Sequence, residues 1–187
     1  MALTKGKPAA AQLNESSLQE LALRYVGAYS TTRAKLRSYL ARKLVERGWS
    51  GTQDPDLERL VDRFAELGYV DDAAYAMSKS LALSARGYGK RRLREKLRID
   101  GVDEQDSVAA DAHADDVALE TALRFAKRRR LGPFAAPGSD PHQREKWIAA
   151  MVRAGHEFSI AREIAMLAPG VEIDLESLRG RCRGFHH

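Results

Sequence analysis

Gly68-Tyr69-Val70-Asp71-Asp72-Ala73-Ala74-Tyr75-Ala76 and, after a polar helical run, Arg86-Gly87-Tyr88-Gly89-Lys90-Arg91-Arg92-Leu93-Arg94-Glu95-Lys96-Leu97 form the stretch that decides the fold. Gly68 ends an amphipathic helix, as a left-handed C-terminal residue does. Tyr69 and Val70 cross a short turn. Asp71 or Asp72 then caps the next helix and sets a carboxylate at its positive end. Gly87 and Gly89 bracket Tyr88, so the backbone breaks there, as at a hinge, and restarts as a helix dense in arginine and lysine.

The flanking sequence continues the helical pattern. Upstream of Gly68, the residues Leu57, Leu60, Val61, Phe64 and Leu67 make one apolar stripe of helical period. Before them, Leu36, Leu40 and Leu44 predict a helix that starts near Ser30 to Thr32 and stops at Gly48. Leu18, Leu21, Ala22 and Tyr25 predict another from about Ser17 to Tyr29. Asp54-Pro55 and Asp140-Pro141 each read as a cap followed by proline in a first helical turn. No sustained period-two run of β-branched or aromatic residues occurs, so the fold class is all-α.

The same frame recurs along the chain. Gly48 is preceded by Leu40, Lys43 and Leu44 and followed by Trp49; Gly101 has Leu93, Lys96, Leu97 and Val102 in those places. Gly155 repeats the frame loosely, with Trp147, Ala150, Met151 and His156. A near-constant period of this size predicts an elongated array of three tandem three-helix repeats, at 17–68, 69–112 and 113–168. The third is degenerate, since Ala150 replaces a lysine and His156 stands where an apolar residue is expected. Phe158 is the residue expected to fill that pocket instead. Residues 1–16, with Pro8, read as a flexible leader, and 169–187, after Pro169-Gly170, as a flexible basic tail.

The central motifs resemble those of the RecX family, regulators of the bacterial RecA recombinase. The matching residues are Gly68, Tyr69, Val70, Asp71 and Asp72 with Tyr75 and Ala76, then Arg86, Gly87, Tyr88 and Gly89 with Arg92, Leu93 and Leu97. Family members usually carry phenylalanine at the place of Tyr75 and commonly a Gly-Phe pair at Gly155. The resemblance runs from about Leu21 to Leu167 and weakens past Val102. It implies tandem three-helix repeats and a non-enzymatic inhibitor. Such a protein binds the RecA–DNA filament and restrains recombination, DNA repair and SOS co-protease activity.

Composition bounds the chain more loosely. Its 187 residues carry a net charge of +5, which hints at an acidic partner or nucleic acid. The lone Cys182 excludes an intrachain disulfide and suits a reducing compartment. No apolar run approaches membrane-spanning length, and Met1 to Gln12 lacks the core of a secretory signal. A cytoplasmic monomer without membrane association is expected.

Charge follows the helices. The second helix of the first repeat holds Arg33, Lys35, Arg37, Arg42, Lys43 and Arg47; that of the second holds Lys90, Arg91, Arg92, Arg94, Lys96 and Arg98. The third helices are acidic, with Asp56, Glu58 and Asp62 in one and Glu104, Asp106 and Asp111 in the other. Arg91, Arg94 and Arg98 share a stripe opposite Leu93 and Leu97. This stripe, with Arg86, Lys90, Arg92 and Lys96 around it and Lys35, Arg42 and Lys43 as its smaller counterpart, is the expected partner or DNA surface. The acid lies on other helices, so little of it is expected to neutralise the stripe. A charged face is also what an ordinary solvated helix presents. Lys127 to Arg130 fits either a contact patch or a helix C-terminus suited to the dipole. Tyr69, Tyr75 and Tyr88 border apolar stripes and read as packing residues.

No catalytic or cofactor pattern emerges. His113, His142 and His156 have no ligand spacing with one another or with Cys182, and the terminal His186-His187 pair reads as solvated. Gly87-Tyr88-Gly89 lacks the third glycine and preceding strand of a nucleotide-binding turn. Neither an enzyme, a cofactor nor a metal is expected. Two functions compete: a modulator of the RecA nucleoprotein filament, and a plain DNA-binding protein that uses the Gly89 helix as a recognition helix. Bare single- or double-stranded DNA is the weaker partner in the first reading, held through phosphates.

Overall fold

A computed structural model describes residues 11–138 and 142–183 of the chain. Pro8, Asp140-Pro141 and His186-His187 lie outside the described residues. Those described are all-α, with ten α-helices, one short 3-10 turn and a single isolated β-bridge. None of these helices is long and apolar enough to cross a membrane. The chain divides into two compact bodies, one ending at Asp72 and the other starting at Ala73.

The N-terminal body contains α1 (Glu15–Ala28), α2 (Arg33–Arg47) and α3 (Leu57–Glu66). Each begins on a side-chain cap that satisfies an otherwise orphaned amide. The Asn14 carboxamide accepts from Ser17 N–H while Ser17 Oγ accepts from Asn14 N–H. Thr32 caps α2 and Asp56 caps α3. The α3 cap is therefore Asp56 rather than Asp54 ahead of Pro55, because the Asp56 carboxylate reaches Arg59 N–H at 2.9 Å. Leu18, Ala22, Leu36, Leu40, Val61, Phe64 and Val70 close around Leu13. Leu13 also corrects the expected leader. Its amide donates to Gly48 O at 2.9 Å, and its carbonyl accepts from Ser50 N–H at 2.8 Å. Residues 11–14 form an ordered strap over the end of α2, which the burial of Leu13 holds in place.

The C-terminal body is entered by α4 (Asp72–Ala85), followed by α5 (Lys90–Ile99), α6 (Glu104–Asp116), α7 (Ala118–Arg129), α8 (Gln143–Arg153), α9 (Phe158–Met166) and α10 (Leu175–Arg183). It holds two cores. Tyr75, Ala76, Leu93, Leu97, Ala110 and Ala114 form one. Leu119, Ala122, Phe125, Met151, Ile160 and Ile164 lead the other, larger one. Gly48, Gly101 and Gly155 close α2, α5 and α8 with φ of 77°, 71° and 95°, a left-handed turn that favours glycine.

Two expected boundaries move. The break foreseen at 112–113 falls inside α6, which continues to Asp116 because Ala110 and Ala114 carry its buried face one turn further. The expected flexible tail instead contains α10. Asp174 caps it by accepting from Glu176 and Ser177 N–H, Leu178 is fully buried, and Cys182 lies in the larger core. Burying a leucine side chain is worth about 1.5–3 kcal/mol, one part of what holds α10 to the core. Burial pushes the Cys182 thiol up from its ordinary range.

Candidate partner-binding surface

The surface centres on α5, so what anchors that helix comes first. Gly89 caps α5 without a side chain, and its own N–H donates to Ala154 O at 3.0 Å. Arg91 N–H donates to Gly155 O at 3.1 Å. The turn after α8 thus supplies the acceptors that a capping side chain would. The approach is backbone on backbone: a Cβ on Gly89 would meet Gly155 O at 2.3 Å, and one on Gly155 would meet Arg92 N at 2.5 Å. Only glycine fits either position.

Gly87 adds a third tie. Its carbonyl accepts from His156 Nε2 at 3.1 Å, so that nitrogen carries the proton. His156 is buried with its ring 5.4 Å from that of Phe125, and burial lowers its pKa to about 4 despite the opposing bond to Gly87. The imidazole is neutral near pH 7. It occupies the apolar pocket itself, and Phe158, expected to fill that pocket, is 63% exposed. Tyr88 packs against the larger core beneath Arg128, whose guanidinium sits 5.5 Å from the Tyr88 ring and donates to Arg86 O. Gly87-Tyr88-Gly89 does separate α4 from α5, but it is a docked seam and not a free hinge.

Along α5, Leu93 and Leu97 are buried while Arg91, Arg92, Arg94 and Arg98 are exposed. The expected separation of base from acid fails here. α6 packs beside α5, and Arg94 meets Asp111 at 2.9 Å, a bond that raises the guanidinium further above its usual range. Lys90 reaches Asp115 at 2.5 Å, Lys96 reaches Asp100 at 2.8 Å, and Arg92 reaches Glu95 at 2.8 Å. In the N-terminal body, Arg37 pairs with Glu58 of α3 at 2.6 Å in the same way. Much of the alternation between basic and acidic helices is therefore internal pairing. Arg86, Arg91 and Arg98 form no ion pair among the described residues.

The smaller basic face lies on α2. Arg42 and Lys43 both approach Glu46, at 3.6 and 2.5 Å, and the Lys43 hydrogen bond holds the Glu46 carboxyl below its ordinary range. Lys35 is half-buried on the first turn, its N–H donating to Thr32 Oγ1 at 3.2 Å.

The remaining motif residues are structural in different ways. Gly68 takes φ 74° after α3, and Tyr69 leans on Phe64 with ring centroids 5.5 Å apart. Asp72 is the first residue of α4, and its carboxylate also reaches α2. One oxygen accepts from Arg33 N–H at 3.0 Å and the other meets Arg33 Nε at 3.4 Å, which places it at the N-terminus of α2. Asp71 directly precedes α4. Tyr75 donates from its hydroxyl to Asp100. Sequence reasoning missed Asp100, although the spacing of Lys96 and Asp100 on one helical face was a usable signal. In the run from Lys127 to Arg130, Arg128 and Arg129 lie against the Phe125 ring and Arg130 caps α7 in a left-handed conformation. Among the described residues, no group of three His, Cys, Asp or Glu side chains could hold a metal ion.

These features describe an all-α protein with charged faces on α2 and α5. No family model matches the chain. Curated relatives do. It is 34% identical over 164 residues to the regulatory protein RecX of Myxococcus xanthus, covering 82% of this chain and 86% of that one. It is 33% identical to RecX of a Mycobacterium species, covering 91% and 90%, and 32% identical to RecX of Thermobifida fusca, covering 84% and 83%. The chain belongs to the RecX family of regulatory proteins.

Proposed function

We propose that this protein regulates RecA: it binds the RecA–DNA filament in the cytoplasm and restrains recombination, DNA repair and SOS co-protease activity, with no catalysis of its own. Membership of a family of regulatory proteins carries the reading. The three successive helix triplets, proposed here as tandem repeats, fit the architecture that family implies. Arg91 and Arg98, with Arg86 at the foot of α5, are the proposed contact residues, because their charge is not spent on ion pairs within the described residues. Lys35, Arg42 and Lys43 form a second, weaker proposed face, since Arg42 and Lys43 share the Glu46 carboxylate. Lys90, Arg92, Arg94 and Lys96 contribute less, each being engaged by a carboxylate.

The geometry of α5 favours a filament over bare DNA as the main partner. A recognition helix presents its N-terminal residues to base edges. Here that end is packed on the turn at Ala154 and Gly155, with two amides already bonded. The test is binding to a labelled single strand with and without RecA assembled on it. Tighter binding to the coated strand is expected, and equal or weaker binding contradicts the reading.

A further inference from the structure

A cavity of about 20 Å³ lies inside the C-terminal body, where α4, α5, α7 and α9 converge. Gly89, Gly155 and His156 of the docked seam line it, together with Ser84 of α4 and Thr121 of α7. The two glycines are required there by the close backbone approach, and they put no side chain into the space. The cavity is thus a by-product of the seam. Thr121 is 2% exposed, and its hydroxyl oxygen is buried with no hydrogen-bond partner among the described residues. A helical threonine commonly turns its hydroxyl onto the carbonyl one turn back. This one does not. Leaving a buried hydroxyl unmatched is costly, and native folds do so rarely.

We propose that Thr121 binds a single buried water, which ties α7 to the seam beneath α5. Three observations converge on that ligand. Room for one water takes about 10–15 Å³, so the cavity admits a water and nothing larger. Cavities that stay dry are apolar, whereas this one carries the hydroxyls of Thr121 and Ser84, both on buried residues. His156 supplies a further partner. Its Nε2 carries the proton given to Gly87 O, which leaves Nδ1 as an acceptor. A water held between Thr121, Ser84 and His156 reaches the two to four polar partners that a buried water needs. The inference goes beyond the RecA reading and does not rest on it, since it concerns how the seam is held.

Two measurements on the full chain test it. A crystal structure fine enough to show ordered waters should hold one density peak about 2.5–3.0 Å from Thr121 Oγ1. Thr121→Val keeps the shape of the side chain and removes the hydroxyl. It should lower the urea midpoint and speed hydrogen exchange at the Arg91 amide severalfold, because the tie between α7 and the seam is lost. Thr121→Ser retains the hydroxyl and should keep that amide protected. A hydroxyl without a partner predicts the opposite sign for Thr121→Val, since an apolar group of the same shape then replaces an unmatched polar one. A raised or unchanged midpoint therefore overturns the proposal, and so does a parent structure with no peak at Thr121. Equal deprotection of Arg91 in Thr121→Ser overturns it too, and assigns the effect to packing of the side chain. The density in the parent decides the matter even where Thr121→Val fails to fold.

Discussion

The Tyr75 hydroxyl donates a 2.7 Å hydrogen bond to Asp100 Oδ2, and both residues are buried. Lys96 Nζ holds the other carboxylate oxygen at 2.8 Å. Two donors from different helices thus meet one buried carboxylate at the end of α5, and phenylalanine at position 75 would remove the hydroxyl that supplies one of them. Hydrogen bonds to charged groups contribute roughly 1.5–3 kcal/mol. Tyr75→Phe should lower unfolding stability by about that amount in urea denaturation. Asp100→Ala should make the same tyrosine substitution nearly neutral. A Tyr75→Phe protein as stable as the parent would show that the bond is not maintained in solution.

Gly89 should tolerate no side chain. The atoms its Cβ would strike are backbone atoms of Gly155 and His156, which cannot rotate away. Gly89→Ala is expected to cost more than about 2 kcal/mol, in the range of strained or overpacked sites. The Arg91 amide should also lose hydrogen-exchange protection, because its acceptor is displaced. Full stability and unchanged protection would mean that the seam is not packed as described.

Much of this fold is legible in the chain itself, because an apolar stripe and a closing glycine are local signals. Leu57 to Leu67 specify α3, and the frame at Gly48, Gly101 and Gly155 marks three left-handed helix ends. What escapes is long-range. Arg94 and Asp111, or Tyr75 and Asp100, meet only after the helices pack, so the basic face looked freer than it is. Pro169-Gly170 looked like the end of order, yet Leu178 and Cys182, one turn apart beyond Asp174, already carried the pattern of a short capped helix.

His156 should make the protein sensitive to mild acid. Its folded pKa of about 4 lies below the ordinary 6.5 because burial penalises the imidazolium. The unfolded chain therefore binds the proton first, and stability is full above about pH 6.5 and lost as pH falls towards 4. Between roughly pH 7.5 and 5 this amounts to about 2 kcal/mol. His156→Phe removes that component, so the pH dependence of the parent minus that of the variant isolates it. Parallel stability–pH curves for the two proteins would contradict a neutral buried His156.

Charge reversal separates the free arginines from the paired ones. Arg91→Glu with Arg98→Glu should change stability by no more than about 0.5 kcal/mol each, as exposed sites do. Arg94→Glu should cost more, since it sets a like charge against Asp111. Filament binding should fall most in the Arg91 and Arg98 pair. Binding unaffected by that pair would move the contact surface to Lys35, Arg42 and Lys43.

The most direct test of the proposed regulation is RecA-dependent ATP hydrolysis on single-stranded DNA, titrated with the purified protein. Hydrolysis is expected to fall at amounts well below one copy per RecA subunit, with no ATP turnover by the protein alone. An unchanged rate at every ratio would contradict action on the RecA filament.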